Sequence, residues 1–470
     1  MSQRASRLAS VCLFLDVFTV LALLLGVTVF LTGGFREWLP WGRISLTSWE
    51  RPVIIAILVA MMRHWMVPRP TLLARVNDWR RAVAAAPGVR PAVPVVLTTR
   101  AAVLLVGFLA IALLGYRADV PVPWRAYQNE ALNLPARWDT GWYVGIASSG
   151  YQWSPSLDTR QQNIAFFPAY PMLMRYGSLF LGRELMWTGV LISWVSFFGA
   201  MVYLYRFTRE RFNDDAAGVA LALLASYPFA VYFSAAYTES LFLLTLVGAC
   251  YHFERNELWR AGGWALLAGL SRPNGCLLSV VLALIAIGPL SPFRFGDLRL
   301  RDWMGVADRL AVAALPGIGM LIYSTYIFFL TGHPLQWAMQ NAAWGRVYRG
   351  LDALLADQAG TIGDHGLYTY AATRTVDAFQ LSAVAFVFAA SWPVFRRIGL
   401  PYAVMIAINV LPPMLMGGLM SIGRVTSVLF PVFVWLAVAV PVGHRAAWVA
   451  GFAMLQAIAA AMFFTWRPLY

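Results

Sequence analysis

The chain has 470 residues, of which 60% are hydrophobic and 12% charged, with 36 basic against 22 acidic side chains and a net charge of +14. A soluble chain carries roughly 25% charged residues, so half of the solubilising charge is missing and a water-soluble enzyme is excluded. The basic residues, all of them arginine, sit between apolar segments and form no stripe with interleaved aromatics, which argues against a nucleic-acid partner.

A bilayer-spanning helix takes about 20 apolar residues. Apolar segments fall at 11–31, 52–67, 101–116, 186–205, 217–232, 240–253, 261–270, 276–290, 310–330, 378–395, 398–418, 428–442 and 446–464. They predict an all-α polytopic membrane protein of about 13 transmembrane helices. Arg4 and Arg7 precede the run from Val11 to Leu31 as in a signal peptide, but the run is long and lacks a small-residue cleavage site, so a retained first helix is expected. The second segment is interrupted by Arg63 and His64, and the seventh is too short to cross alone, which suits a half-helix buried in protein. Cys12, Cys250 and Cys276 lie in apolar runs and are odd in number, which argues against a disulfide framework or a thiolate metal site.

Arginine in short loops sets the orientation. With a cytoplasmic N-terminus, the inside loops hold Arg69, Arg75, Arg80, Arg81 and Arg90, then Arg206, Arg209 and Arg211, then Arg294, Arg299, Arg301 and Arg309, then Arg396 and Arg397. Two long polar segments, 117–185 and 331–377, then fall on the extracytoplasmic side with the C-terminus, and should carry short interfacial helices and the functional site. The domain reading is a two-helix N-terminal addition at 1–67, a basic Pro-rich cytoplasmic linker at 68–100 lying against anionic headgroups, and a catalytic transmembrane body at 101–470. The connection at 32–51, with Gly33-Gly34, is expected to form a small extended element near the acceptor entrance.

The most informative stretch is Arg137-Trp138-Asp139-Thr140-Gly141-Trp142-Tyr143, continuing to Gly150-Tyr151. An Asp among aromatics at a membrane surface sits in a low dielectric, where its basicity should rise, which suits a general base. Pairing of Arg137 with Asp139 in an aromatic belt is the competing reading. Phe166-Phe167-Pro168-Ala169-Tyr170-Pro171 leads into an apolar stretch bearing Arg175 and suggests an interfacial helix. Ala236-Tyr237-Thr238-Glu239-Ser240 places a carboxylate at the start of a helix, where the dipole favours it and where membrane depth makes it a functional candidate.

Ser271-Arg272-Pro273-Asn274-Gly275 breaks another apolar stretch in the same layer, with a glycine that would let backbone approach a ligand. Gln340 through Trp344-Gly345-Arg346, and Ser421-Ile422-Gly423-Arg424, belong to the same face. One base and several guanidiniums on one face of a bilayer describe a reaction whose leaving group is a lipid phosphate, because Arg binds phosphate bidentately and neutralises it.

Together these six ordered motifs, over residues 101–470, resemble the PIG-V-like family, the GPI mannosyltransferase II group and its bacterial relatives within the GT-C glycosyltransferases. The resemblance implies a GT-C-like membrane enzyme that takes a sugar, mannose by resemblance, from a polyprenyl- or dolichyl-phosphate donor outside the cytoplasm and inverts the anomeric centre. It maps the family's essential Asp onto Asp139. Arg272, Arg424 and Arg346 would bind the donor phosphate, while Trp138, Trp142, Tyr143, Tyr170, Tyr237, Glu239, Asn274, Gln340 and Trp344 would contact sugar or acceptor. The family's Tyr after the C-terminal Arg is Val425 here, which removes a hydroxyl near that phosphate. Nothing in the Arg-only chain points to a GPI precursor, so a bacterial plasma membrane is expected and the acceptor is open.

No carboxylate or His cluster appears at metal-ligand spacing, so no metal or other cofactor is expected, although substrate phosphates can recruit Mg²⁺ with one or two carboxylates. A lipid-phosphate transporter or flippase would need ionisable residues along several helices, where Asp16 is the main one. A non-catalytic partner of another glycosyltransferase is the third reading, and it requires Asp139 to be dispensable.

Overall fold

A computed structural model describes residues 3–39, 42–118, 124–157, 159–288 and 300–469. Arg294 and Arg299, counted above among the inside-loop arginines, lie outside the described residues. The N-terminal part comprises α1 (Gln3–Thr32), the strands β1 (Phe35–Leu39) and β2 (Gly42–Leu46), α2 (Glu50–Met66), α3 (Leu72–Ala85) and α4 (Val89–Leu114). Then follow α5 (Thr140–Ser149), α6 (Ala169–Ser178), α7 (Leu185–Arg211), α8 (Asp214–Ser226), α9 (Glu239–Glu254), α10 (Leu258–Ser271), α11 (Leu278–Ile287), α12 (Leu300–Ala313) and α13 (Leu315–Thr331). The last third holds α14 (Gln336–Met339), α15 (Leu351–Thr373), α16 (Thr375–Arg397), α17 (Leu400–Gly417), α18 (Ile422–Thr426), α19 (Phe430–Ala439) and α20 (Arg445–Phe464).

Seven helices among the described residues are long and apolar enough to cross a bilayer, or eight if α8 and the 3-10 segment Pro228–Ser234, bent from it by 82°, form one broken span. About 13 were expected. The difference comes from short apolar helices such as α9, α10, α11 and α19, of 16, 14, 10 and 10 residues. These fall below the length of an ordinary span, and composition alone does not separate an apolar helix packed in protein, as α9 is, from one that meets lipid. Every residue from Leu223 to Phe253 is buried, and α9 packs between α7 and α10. The outermost helices instead expose large apolar residues, Phe14, Phe30 and Leu31 on α1 and Leu113 on α4 among them, the pattern of surfaces that meet lipid.

The expected extended element between the first two helices is an antiparallel hairpin, with Phe35 opposite Leu46 and Leu39 opposite Gly42. Gly34 (φ 75°) closes its base, where a Cβ would come within 2.0 Å of the Leu46 carbonyl oxygen. Glu37 pairs with Arg175 at 2.9 Å and Arg183 at 3.2 Å, tying the hairpin to α6. The arginine that interrupts the second segment is absorbed: Arg63 is 2% exposed and pairs with Asp16 of α1 at 2.7 Å, to which Arg75 of α3 adds a contact at 3.1 Å.

The segment expected to be a linker is mostly helical. Thr71 caps α3 by accepting from the Ala74 N–H at 3.3 Å, and Pro91 sits in the first turn of α4, where its missing N–H has no partner to lose. Arg100 of α4 is fully buried and donates to the carbonyls of Ala225 and Ala230 at 2.6 and 2.5 Å and to Ser234 Oγ at 3.1 Å. It thereby satisfies backbone oxygens around the break after α8, the condition under which irregular backbone is tolerated at membrane depth.

Candidate active site

The break after α8 sets up the site, because the chain runs through the buried residues 227–238 before α9 begins. Glu239 stands in the first turn of α9, with 0% exposure. The helix dipole favours a carboxylate there, but burial costs several kcal/mol unless the charge is paired. Two guanidiniums pair it: Arg272 Nη1 and Arg424 Nε both bond Glu239 Oε1. Arg272 lies just past the end of α10, in extended conformation (φ −153°, ψ 155°), and Pro273 stops the helix from continuing. Arg424 lies in the short helix α18, entered through Ser421 in the left-handed region (φ 56°). Its guanidinium stacks over Tyr237 at 4.7 Å and Tyr232 at 5.3 Å.

Asp139 is the N-cap of α5 and follows Trp138, itself left-handed at φ 48°. A capping Asp ordinarily accepts from the first-turn N–H groups. Here no such side-chain bond forms, and Asp139 Oδ2 instead accepts from Arg424 Nη1 at 2.6 Å. The Asp139 backbone N–H donates to Tyr237 Oη at 2.9 Å.

The pairing of Arg137 with Asp139 that the sequence allowed is not what forms. Arg137 is 1% exposed and donates to the carbonyls of Phe464 at 2.7 Å and of Asn133 and Ala136 at 2.8 Å, and to Tyr116 Oη at 3.1 Å. It staples the loop before α5 to the end of α20.

These groups border a cavity of about 580 Å³ lined by Trp138, Asp139, Trp142, Tyr143, Tyr237, Arg272, Trp344, Arg346 and Arg424 among others. Trp142, Phe166 and Trp344 contact one another at ring separations of 5.7–5.8 Å and form an aromatic wall. Arg346 follows Gly345 (φ 75°) and, among the described residues, its side chain has neither a hydrogen bond nor an ion pair. Burial pushes its guanidinium down to about 10, with the charges of Arg424 and Arg272 acting in the same direction. No group of three or more His, Cys, Asp or Glu among the described residues is placed to hold a metal ion.

Four of the expected contact residues stand off the cavity wall. Tyr170 is fully buried, its hydroxyl 2.7 Å from both the Gly189 carbonyl oxygen and Ser193 Oγ. Asn274 donates to Asn409 Oδ1 at 2.8 Å, and Gln340 donates to the Arg160 carbonyl oxygen. Glu239 sits behind the arginines rather than in front of them. Gly275, expected to admit a ligand, packs on its own preceding helix: a Cβ there would lie 2.0 Å from the Ala268 carbonyl oxygen. Conversely, Tyr232, Phe463 and Trp466 line the cavity, although they sit in or beside apolar segments with no motif to mark them.

Residues 110–288 match the model of the mannosyltransferase (PIG-V) family. GPI mannosyltransferase 2 of Drosophila pseudoobscura pseudoobscura is 26% identical over 263 residues, covering 50% of this chain and 55% of that protein, so the chain spans about half the length of the relative it matches. Two solved structures of the archaeal oligosaccharyltransferase of Archaeoglobus fulgidus are also similar. AglB in complex with an inhibitory peptide and a dolichol-phosphate is 13% identical with a TM-score of 0.37, covering 80% of this chain and 56% of that one. The enzyme tethered to an acceptor peptide is 15% identical with a TM-score of 0.39, covering 80% and 55%. Trp344, Arg346 and Arg424 lie beyond the family match, yet they border the same cavity as Asp139 and Arg272 within it. The motif resemblance thus coincides with a match to the mannosyltransferase (PIG-V) family over residues 110–288.

Proposed function

We propose that the chain is an integral-membrane glycosyltransferase that moves a sugar, mannose by the family match, from a polyprenyl- or dolichyl-phosphate donor to an acceptor hydroxyl. One observation carries the reading: a carboxylate, the guanidiniums of Arg272, Arg346 and Arg424, and an aromatic wall converge on one cavity that Arg117 also borders. Asp139 takes the acceptor's proton as its oxygen attacks the anomeric carbon from the face opposite the phosphate, inverting that centre. The bond from the anomeric carbon to the phosphate oxygen breaks, and its electron pair leaves with the lipid phosphate, which Arg272, Arg346 and Arg424 stabilise. The aromatic wall holds the sugar ring.

The reaction face is extracytoplasmic in this reading. Helix α9 is about 24 Å long. Its far end, opposite Glu239, carries Glu254 paired with Arg211, near Arg255, which pairs with Glu210. Such arginine-rich ends mark the cytoplasmic side, and a bacterial plasma membrane is the setting we favour. The purified protein in proteoliposomes with a radiolabelled polyprenyl-phosphate mannose tests the function. Transfer of label to an added acceptor or to water is the expected result. Movement of intact donor across the bilayer would identify a transporter, and binding without either would identify a non-catalytic partner.

A further inference from the structure

The side chain that should act as base is also the side chain that neutralises Arg424. Around the cavity, Arg272, Arg346 and Arg424 face Asp139, with Glu239 behind them. Arg117 also borders the cavity, so counted as ions four cations meet two anions. The surplus positive charge suits an anionic phosphate, and Arg346, which has no polar partner among the described residues, is free to receive it.

The hydrogen-bonding pattern of Arg424 adds a constraint. A guanidinium grips phosphate bidentately through one of two edges, Nε with an Nη or the two Nη groups together. Nε is committed to the buried Glu239, and Nη1 of the remaining edge is held by Asp139 Oδ2 at 2.6 Å. Asp139 lies on the cavity wall, 27% exposed and not used as a cap, so it can turn away without breaking α5. Glu239 is wholly buried and cannot.

We infer that the Asp139 carboxylate and the substrate's phosphate compete for the Arg424 guanidinium, so that binding of a lipid phosphate releases Asp139 to take the acceptor's proton. This rests on the cavity being a lipid-phosphate site, and it adds an order of events. While Asp139 Oδ2 accepts from Arg424 Nη1 it is not open to the acceptor's proton, so the acceptor is activated only after the leaving group is in place.

The competition has a sign that a base or a sugar contact lacks. Farnesyl phosphate, a short polyprenyl monophosphate, is titrated into the purified full-length chain in detergent, with inorganic phosphate and farnesol as separate arms. Asp139→Asn should bind farnesyl phosphate about fivefold tighter or more than wild type, the factor expected from removing one partly buried ion pair. Asp139→Ser, which retains a capping side chain, should do the same, with thermal melting confirming that both are folded. In an Arg424→Ala background the gain should vanish. Unchanged or weaker binding by both variants, with wild type binding normally, overturns the competition and leaves the proposed function standing. A gain with inorganic phosphate alone overturns the lipid-phosphate assignment. Failure of wild type to bind farnesyl phosphate overturns the proposed function itself.

Discussion

Arg424 Nη1 lies 2.6 Å from Asp139 Oδ2, although 285 positions separate the two residues in the chain. The pairing places the last motif against the first and gives Asp139 a partner other than its neighbour Arg137. The two arginines should therefore fail differently. Arg424→Ala removes a cation from the cavity and should lower turnover by about 2–4 kcal/mol of transition-state stabilisation, as loss of one oxyanion donor does. Arg137→Ala removes the side-chain donor from the carbonyls of Phe464, Asn133 and Ala136 and should lower the melting temperature, with activity tracking the folded fraction. Steady-state kinetics beside thermal unfolding of both variants in detergent checks the contrast. Equal loss of turnover in well-folded Arg137→Ala would count against it.

Glu239 is expected to behave as a structural anion. Its carboxylate is fully buried and bridges Arg272 and Arg424. Glu239→Ala leaves Arg272 without its counter-charge and Arg424 with Asp139 alone and should cost roughly 3–5 kcal/mol of stability, whereas Glu239→Gln, which retains an acceptor oxygen, should cost less. Unfolding in graded denaturing detergent measures the difference. A Glu239→Ala protein as stable as wild type would show that these arginines need no buried counter-charge.

The mostly helical membrane class and the convergence of the motifs near Asp139 were legible because composition and motif order report them directly. Which apolar segments meet lipid was not, since an apolar helix wrapped by protein, such as α9, reads like one wrapped by lipid. Among motif residues, Tyr170, Asn274 and Gln340 hold backbone or neighbouring amides rather than line the cavity, and spacing does not tell these uses apart. Tyr232 and Trp466 reach the cavity only through tertiary packing, and the partnership of Asp139 with Arg424 arises the same way. Local sequence also allowed the nearer arginine, whose donors are instead taken up by the carbonyls of Phe464, Asn133 and Ala136 and by the Tyr116 hydroxyl.

Orientation can be checked at exposed positions outside the cavity. In a Cys276→Ser background, single cysteines replacing Ser148 and Ala359, both exposed, should react with an impermeant maleimide added to intact cells. A cysteine replacing Ala85, exposed at the end of α3, should react only after the membrane is opened. The reverse pattern would put the cavity on the cytoplasmic side and remove the proposed reaction geometry.

Asp139→Asn tests whether the carboxylate is chemically needed once donor is bound. The amide is nearly equal in volume and retains a hydrogen bond to Arg424, so the fold should persist. Loss of the proton acceptor should lower turnover by roughly 10²–10⁴-fold, the usual contribution of a positioned base. Single-turnover transfer from radiolabelled donor, measured on protein shown to be folded by its melting curve, separates chemistry from binding. Full turnover by a folded Asp139→Asn protein would end the assignment of Asp139 as base.

Arg346 supplies a test through pH. Its guanidinium, pushed down to about 10 by burial and by Arg424 and Arg272, must be charged to receive a phosphate. A bound phosphate raises that value again, because it favours the charged form. The sign follows: affinity for farnesyl phosphate should be flat below the free-state value and fall as pH rises through about 10. Arg346→Ala should bind weakly and lose that dependence. Arg346→Lys begins from an ordinary value of about 10.4, and the same burial and neighbouring charges push it lower, so its fall in affinity should set in at a lower pH than in wild type. It should also be weaker throughout, since an ammonium cannot supply the planar fork. Calorimetric titrations from pH 7 upward on the three proteins, each confirmed folded across the range, would show the ordering. Identical pH profiles for wild type and Arg346→Ala would remove Arg346 from the phosphate site.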